Sequence, residues 1–359
     1  MKKYYDYQLA DRNTFGISSK AAEFVEYYDV SELKDALRDM KRRKECGISG
    51  ADCADSVAGK DMAGERSRLD YLFLGGGSNL LFTGDFAGTV FHGNIKDIEV
   101  VENNSDYSLV KVGAAVVWDD FVKWSLGNSL YGAENLSLIP GETGASAVQN
   151  IGAYGVEVSE IIEKVETVSV EDLSERVFTN SECRYSYRRS FFKENYNRYV
   201  VHHVVFRLNH RFVPVLKYKA LQQEFSAVAN SVSAGEIRDY VIEMRRNKLP
   251  DPSEIGNAGS FFMNPVVPRE VFEALAAEYP SLPFYRQSEM FKIPAAWLIE
   301  QCGWKGRRVG NAGVCSRQPL VLVNYGGASA DEIISLSERI VSDVREKFGI
   351  VLRPEVQFV

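Results

Sequence analysis

The sequence predicts an α+β fold in which a strand-rich first part is followed by a part with longer helices. Residues 107–115, 162–170 and 199–208 are rich in strand-forming side chains, and the apolar residues 71–74 run straight into a glycine turn. These strands do not alternate with helices in the regular order of a doubly wound parallel sheet. Beyond residue 210 the apolar periodicity becomes helical, which places a domain boundary near residues 208–230.

Three segments carry the apolar spacing and the end signals of helices. The first would begin with Ser31 as its N-cap. The second is predicted over residues 233–248, and the third over residues 330–348 with Ser329 as the cap and Gly349 as the stop. The last nine residues, VLRPEVQFV, are predicted to form an apolar strand.

Composition and charge exclude several classes of protein. The chain has 359 residues, of which 45% are hydrophobic, so it can bury a core without a disulfide framework. Its net charge of −7 argues against a bulk nucleic-acid or membrane-surface protein, because both partners favour positive charge. Five scattered cysteines without a CxxC pair indicate reduced thiols, a cytoplasmic location and no zinc site. We expect no signal peptide, no membrane span and a monomer.

A polar insertion is predicted at residues 39–69, which are rich in alanine, glycine and serine and poor in large apolar side chains. Cys46 and Cys53 lie in it, but two cysteines alone make a poor metal site. The four histidines have no ligand spacing either. We therefore predict that they are ordinary core or surface residues.

Two glycine-rich segments could hold a phosphate-bearing ligand. The first, GGGSNLLF, follows the strand at residues 71–74, and its bare backbone amides could form an anion-binding nest. Leu80 stands where the dinucleotide fingerprint GxGxxG needs glycine, so a plain turn is an equal alternative. The second segment, residues 137–158, is dense in small residues that would let backbone lie flat against a planar ligand. Two unrelated loops remain the alternative.

Two further motifs carry cations and a hydroxyl. CRYSYRRSFFK sets arginines among aromatic residues, which suits a carboxylate or phosphate, although a solvated patch is the commoner role. In MRRNKLPDP, Arg245 and Lys248 lie three residues apart near a helix end and would share a face. Ser260, in GNAGSFFMNP, lacks the GxSxG context of a hydrolase. It could donate a proton or simply occupy a turn.

Taken in order, these motifs together with AAWLIEQCGWKG and RPEVQFV resemble the UDP-N-acetylenolpyruvoylglucosamine reductase family, in its longer, type I branch. The resemblance runs from NTFGI at Asn13 to the last residue. It implies a two-subdomain FAD-binding module of the vanillyl-alcohol-oxidase type plus a C-terminal α+β substrate-binding domain. The implied divisions are residues 1–95, 96–212 and 213–359, with the last strand returning to the active site.

The resemblance also implies an activity and a cofactor. Members use NADPH and FAD to reduce enolpyruvyl-UDP-GlcNAc to UDP-N-acetylmuramate, a precursor of peptidoglycan. Non-covalent FAD is implied, because the first glycine loop lacks the histidine that usually carries a covalent flavin. The hydride goes to the methylene carbon, and the negative charge that builds on the neighbouring carbon needs a fixed cation and a proton donor.

The site residues are carried over from the matching motifs. The implied catalytic residues are Arg188, Ser260 and Glu355. The implied FAD-binding residues are Gly75, Gly76, Gly77, Ser78, Asn79, Leu80, Pro140, Gly141, Gly144, Ala145, Gln149, Asn150, Gly152, Ala153 and Tyr154. The implied substrate-binding residues are Tyr187, Tyr218, Arg245, Lys248, Asn264 and Gln318.

Two departures from the family pattern affect the site. Met263 stands where many members have lysine, which removes a cation from the substrate side, and Arg189 stands where an acid is common. Either Arg188 or Arg189 could then face the substrate. Two other functions stay open: an alcohol oxidase on the same flavin scaffold, and a nucleotide-sugar-binding protein without catalysis.

Overall fold

The structure is a computed structural model that describes residues 1–45 and 70–359. Its strands are β1 (Lys2–Gln8), β2 (Lys20–Tyr27), β3 (Tyr71–Leu74), β4 (Leu80–Leu81), β5 (Phe86–Gly93), β6 (Ile98–Asn103), β7 (Tyr107–Gly113), β8 (Gly152–Ala153), β9 (Val156–Glu157), β10 (Ile162–Ser169), β11 (Glu175–Thr179), β12 (Tyr199–Asn209), β13 (Gly256–Ser260), β14 (Val266–Pro268), β15 (Tyr285–Gln287), β16 (Met290–Lys292), β17 (Arg308–Val309), β18 (Ala312–Val314), β19 (Val321–Asn324) and β20 (Gln357–Phe358). Its α-helices are α1 (Val30–Glu45), α2 (Trp118–Gly127), α3 (Thr143–Gln149), α4 (Phe191–Glu194), α5 (Lys219–Phe225), α6 (Ala234–Lys248), α7 (Arg269–Glu278), α8 (Ala295–Gln301) and α9 (Ala330–Phe348). None of these helices is long and apolar enough to cross a membrane.

The first sheet has the strand order β1-β2-β5-β3, and α1 packs on one face of it. Its pairs β2–β5 and β5–β3 are parallel, which requires a crossover such as the one α1 provides. The predicted cap of this helix is wrong: a side-chain oxygen of Asp29, not Ser31, accepts a hydrogen bond from the backbone N–H of Glu32 at 2.8 Å. The helix also continues to residue 45, so residues 39–45 of the predicted polar insertion are helical and do not form a loop. Residues 46–69 of that prediction lie outside the described residues.

The second sheet is antiparallel throughout, with the order β11-β10-β12-β7-β6. Its three longest strands confirm the strands predicted at residues 107–115, 162–170 and 199–208. One face packs on α2 and α3 through Trp118, Phe121 and Phe206, all of which are fully buried. The segment between α2 and β10, which contains α3, therefore packs against this sheet.

The C-terminal part is built around the sheet β13-β19-β18-β17 and the long helix α9. The predictions of this helix and of α6 are confirmed, and Ser329 caps α9 as predicted, in a capping box with Glu332. Ser233, which was not identified from the sequence, forms the same motif with Glu236 on α6. Gly349 ends α9 in the left-handed conformation with φ of 66°. Phe15 from the N-terminal part packs into the same core. The domain divisions at residues 95 and 212 stay a prediction.

The C-terminal segment is less regular than the predicted strand over residues 351–359. Its only regular strand is the short β20, which pairs in parallel with β4. The segment nevertheless joins two distant parts of the chain. Pro354 forms an isolated bridge to Phe262, and the backbone N–H of Gln357 donates to the carbonyl of Asn79 at 3.1 Å. Residue 355 is thereby held between β13 and the first glycine turn.

Candidate active site

A cleft of about 950 Å³ lies where the two sheets and the C-terminal part meet. That volume is within the range of sites that hold large organic ligands. It brings together predicted residues from all three segments of the chain. The predicted residues that line it are Gly75, Gly76, Gly77, Ser78, Asn79, Leu80, Pro140, Gly144, Ala145, Gln149, Gly152, Arg188, Arg245, Ser260 and Glu355.

The first glycine turn has no room for a side chain at Gly77. Gly77 has φ of 63°, and a Cβ atom there would collide with the backbone of Arg12 and Asn13. A Cβ on Gly76 would lie 3.4 Å from the Cα of Gly141, so the two glycine-rich segments are in contact. The turn therefore presents backbone to the cleft, as an anion-binding nest requires.

The second glycine-rich segment packs closely on the sheet behind it. A Cβ on Gly144 would lie 2.7 Å from the Cβ of Ala114. Asn150 is left-handed and faces away from the cleft, where its side-chain amide donates to the Ser186 carbonyl at 3.0 Å. Asn150 therefore ties this segment to the loop that carries Arg188. Of the other predicted FAD-binding residues, Gly141, Ala153 and Tyr154 also do not line the cleft.

Arg188, and not Arg189, faces the cleft. Its Nε lies 2.6 Å from Oε1 of Glu355, and the two side chains are 21% and 13% exposed. The Nε–H is not directed at that oxygen and has no hydrogen-bond partner, so the contact is an ion pair held by charge. Arg188 has φ of 56°, in the left-handed region that residues other than glycine adopt uncommonly. Arg189 instead pairs with Glu194 on the surface.

Ser260 reaches the cleft because β13 contains a bulge. Asn257 pairs with Val323 and Ser260 with Val321, so two residues of β13 oppose one of β19. Gly259, with φ of 67°, absorbs the bend, and its N–H donates to the side-chain oxygen of Asn257 at 2.9 Å. Among the described residues none hydrogen-bonds the Ser260 hydroxyl, which leaves it available to a ligand.

Three of the predicted substrate-binding residues lie close to the Arg188–Glu355 ion pair or in the cleft. The Asn264 amide donates to the Tyr187 hydroxyl at 3.4 Å, and Tyr187 adjoins Arg188. Arg245 donates through Nε to the Leu138 carbonyl at 3.1 Å, and burial lowers the pKa of its guanidinium. These residues form one wall around Arg188.

The remaining three predicted substrate-binding residues lie outside the cleft lining. The ring of Tyr218 packs edge-on against Tyr154 at 5.1 Å between centroids, and Lys248 Nζ lies 5.9 Å from the Tyr218 ring. Gln318 is turned into its own loop, where its side-chain oxygen lies 3.4 Å from the backbone N–H of Leu320.

Several charged residues of the site were not predicted from the sequence. Lys292 lies 4.6 Å from the ring centroid of Tyr187, and burial lowers the pKa of its ammonium group. It brings a cation close to Arg188 and Tyr187. Arg246 and Arg317 line the cleft, and Glu142 projects a carboxyl into it. Lys292 stands in the hairpin YRQSEMFK, which also carries Arg286 and Glu289, so no residue pattern singled it out.

Two of the histidines, His202 and His203, make a contact that the sequence did not indicate. A bulge in β12 leaves His202 without a strand partner of its own, and this brings its ring beside that of His203, with their Nδ1 atoms 2.7 Å apart. Glu166 is close enough to complete a cluster. Both of its oxygens are paired with lysines, Lys111 at 2.7 Å and Lys164 at 3.3 Å, so the carboxylate charge is already neutralised. We assign no metal to this cluster.

The cleft fits FAD on two structural grounds. Its floor includes backbone at Gly77 and Gly144 where a side chain would not fit, and this matches a diphosphate and a flat ring lying close to the main chain. Its far end holds the cation, hydroxyl and carboxylate of the predicted catalytic residues in one connected space.

Comparison with known proteins agrees with this arrangement. The UDP-N-acetylenolpyruvoylglucosamine reductase C-terminal domain family matches residues 251–359, and the FAD binding domain family matches residues 62–172. The UDP-N-acetylenolpyruvoylglucosamine reductase of Bacteroides fragilis strain YCH46 is 48% identical over 355 residues, covering 98% of this chain and 99% of that protein. The reductase of Porphyromonas gingivalis strain ATCC 33277 is 45% identical, covering 99% and 98%.

A solved structure supports the fold. The crystal structure of UDP-N-acetylenolpyruvylglucosamine reductase from Thermus caldophilus superposes with a TM-score of 0.64 at 21% identity, covering 99% of this chain and 98% of that one. The predicted fold class, an FAD-binding module of the vanillyl-alcohol-oxidase type with a C-terminal substrate-binding domain, is confirmed. The chain belongs to the UDP-N-acetylenolpyruvoylglucosamine reductase family.

Proposed function

We propose that this chain reduces the enolpyruvyl group of UDP-N-acetylenolpyruvoylglucosamine to the lactyl group of UDP-N-acetylmuramate, with FAD as cofactor and NADPH as reductant. The family membership makes the chain an FAD-dependent oxidoreductase. The observation that carries the proposal is the convergence of Arg188, Glu355 and Ser260 on one cleft with the two glycine-rich segments. The overall reaction adds a hydride from NADPH and a proton across one carbon–carbon double bond, releasing NADP⁺.

The chain's role toward the cofactor is to hold it. The backbone at residues 75–79 would hold the diphosphate, and the segment around Gly144 and Gln149 would lie against the rest of the molecule. Bound FAD supplies hydride transfer between NADPH and the substrate. The first glycine loop has no histidine, so we propose non-covalent binding.

Arg188 provides the fixed positive charge that this reduction needs. When a hydride reaches the methylene carbon, negative charge develops on the neighbouring carbon and its carboxylate. A guanidinium can bind that carboxylate with two parallel N–H groups. Glu355 holds Arg188 in place through the 2.6 Å ion pair, and both side chains are largely buried. The charge is therefore in position before substrate binds.

Ser260 is the proposed proton donor. Its hydroxyl faces the same cleft and has no competing acceptor among the described residues. Proton transfer to the carbon next to the carboxylate completes the reduction and leaves the serine oxygen to be reprotonated from solvent. Tyr187, Asn264 and Lys292 lie beside this centre and are proposed to bind the substrate, together with Arg245, Tyr218, Lys248 and Gln318.

The setting of the enzyme is also a proposal. We place it in the cytoplasm as a monomer of peptidoglycan precursor synthesis, and thus of cell-wall biogenesis and division, with no nucleic-acid or membrane partner. The three described cysteines, Cys183, Cys302 and Cys315, form no disulfide, which is consistent with a reducing compartment.

NADPH oxidation under anaerobic conditions tests this function. Purified protein should be yellow, and it should consume NADPH only when UDP-N-acetylenolpyruvoylglucosamine is added. A colourless protein that binds the UDP-sugar would indicate the non-catalytic alternative. Consumption of O₂ with an alcohol, without need of the enolpyruvyl sugar, would indicate the oxidase.

A further inference from the structure

Glu142 places a carboxyl directly beside the first glycine turn. Its backbone is fixed by a bridge to Val117 and by the N–H of Ser146, which donates to its carbonyl at 2.9 Å. The side chain then extends into the cleft, where Oε2 lies 3.1 Å from the position a Cβ on Gly75 would take. An acidic group therefore stands within the nest that is proposed to hold the FAD diphosphate.

The Glu142 carboxyl has no hydrogen bond or ion pair with any residue in the described ranges. Burial raises its pKa to about 7. The charged and titratable groups around it are Tyr27 on β2, Lys96 after β5, and Arg12. Arg12 is already engaged by Glu26 at 3.2 Å and by His92 at 3.3 Å, and burial holds the His92 pKa below its usual range. Lys96 and Arg12 are the nearby cations, but among the described residues neither makes an ion pair with Glu142, so an ionised Glu142 would face a bound diphosphate without a bonded counter-ion.

We propose that Glu142 binds FAD as a neutral carboxylic acid, donating its O–H to an anionic oxygen of the diphosphate, and that its ionisation weakens FAD binding. The nest then has a donor that only the protonated form provides. The proposal depends on FAD binding, which is part of the proposed function. It adds the role of Glu142 and the direction in which FAD affinity changes with pH. The opposite role, a carboxylate accepting an N–H of the cofactor, would give affinity that rises with pH.

Equilibrium binding to the apoprotein distinguishes these cases without any turnover. Flavin fluorescence gives the Kd of FAD at several pH values from 5.5 to 8.5, and the same titration is made with riboflavin and, by competition, with ADP. For wild-type protein the Kd of FAD should be constant at low pH and rise by up to about tenfold per pH unit above pH 7. Riboflavin, which lacks the diphosphate, should not follow FAD, and ADP should follow it after the ionisation of its own terminal phosphate is taken into account.

Two variants locate the effect. Glu142→Gln keeps an N–H donor and cannot ionise, so its Kd for FAD should be independent of pH and close to the low-pH value of wild type. Glu134→Gln is the matched control, because Glu134 is a buried carboxyl whose pKa burial also raises, and it lies outside the cleft lining. It should keep the wild-type pH profile.

The wild-type profile decides the proposal even if a variant fails to fold. A Kd for FAD that does not change between pH 6 and 8.5, or that falls as pH rises, overturns the role of Glu142 and leaves the reductase function intact. If the Kd of riboflavin shows the same pH dependence, the effect does not arise at the diphosphate, and the proposed role of Glu142 is also overturned. Failure to bind FAD at any pH overturns the proposed function as well.

Discussion

Replacing Glu355 by glutamine tests whether the Arg188 ion pair prepares the site for substrate. The substitution keeps the size of the side chain and an oxygen that can accept a hydrogen bond, and it removes only the charge. In the native site Arg188 has few other partners. Its Nη1 and Nη2 lie 3.4 Å from the carbonyls of Asn150 and Gly152, at the long limit of a hydrogen bond. Without Glu355 the guanidinium would therefore lose its main orienting contact.

The size of the effect follows from the geometry of the pair. Breaking a fully buried ion pair costs about 3–5 kcal/mol. These side chains are 21% and 13% exposed, and glutamine retains one acceptor, so the cost should be smaller. We expect a loss of about 1.4–2.7 kcal/mol of transition-state stabilisation, which is roughly a tenfold to hundredfold fall in kcat/KM.

Anaerobic rapid-mixing kinetics can assign this loss to one half-reaction. Glu355→Gln should slow the oxidation of reduced flavin by the enolpyruvyl sugar and leave its reduction by NADPH within about twofold of wild type. Glu194→Gln is the matched control, because it removes the partner of the neighbouring Arg189 at the surface. Equal loss in the two variants, or no loss in Glu355→Gln, would refute the positioning role.

Three further predictions concern the cofactor and the core. Gly144→Ala should lower the free energy of unfolding by about 1–3 kcal/mol and weaken FAD binding, because the new Cβ would lie 2.7 Å from that of Ala114. Thermal melting measures the loss of stability. The control Gly127→Ala should show no such loss, because nothing lies within 4 Å of its Cβ position. Acid precipitation should release all the FAD into the supernatant, and flavin that stays with the pellet would contradict non-covalent binding. Cys183 is fully buried and its pKa is raised to about 11, so iodoacetamide at pH 8 should label it only after unfolding, as peptide mass spectrometry can determine. Its labelling in native protein would show that the thiol is accessible.

Features with local causes were predictable from the sequence. The helices α6 and α9 follow from serine caps and apolar periodicity, and the glycine turn follows from its composition. Asp29 was missed as a cap because it and Ser31 are both good caps, and only the backbone direction decides between them. The last strand was overestimated because an apolar sequence does not show which partners are available.

Features that depend on tertiary contacts were not predictable from residue patterns. The choice between Arg188 and Arg189 is made by Glu355, which is more than 160 residues away in sequence and reaches the site only through the C-terminal segment. Lys292 and Glu142 become part of the site through a hairpin and a loop that pack against distant segments. The pairing of His202 with His203 depends on a bulge that has no sequence signature.

The central claim is that Ser260 donates the proton in a reduction centred on Arg188, and the most direct test is the rate of each half-reaction in Ser260→Ala. The account predicts that flavin reduction by NADPH is nearly unchanged, since that step places no proton on a substrate carbon. Oxidation of the reduced flavin by the enolpyruvyl sugar should slow by about 10²–10⁴-fold, the usual contribution of general acid catalysis, and Ser260→Cys should recover part of it. An equal slowing of both half-reactions would contradict the account and assign Ser260 to positioning alone.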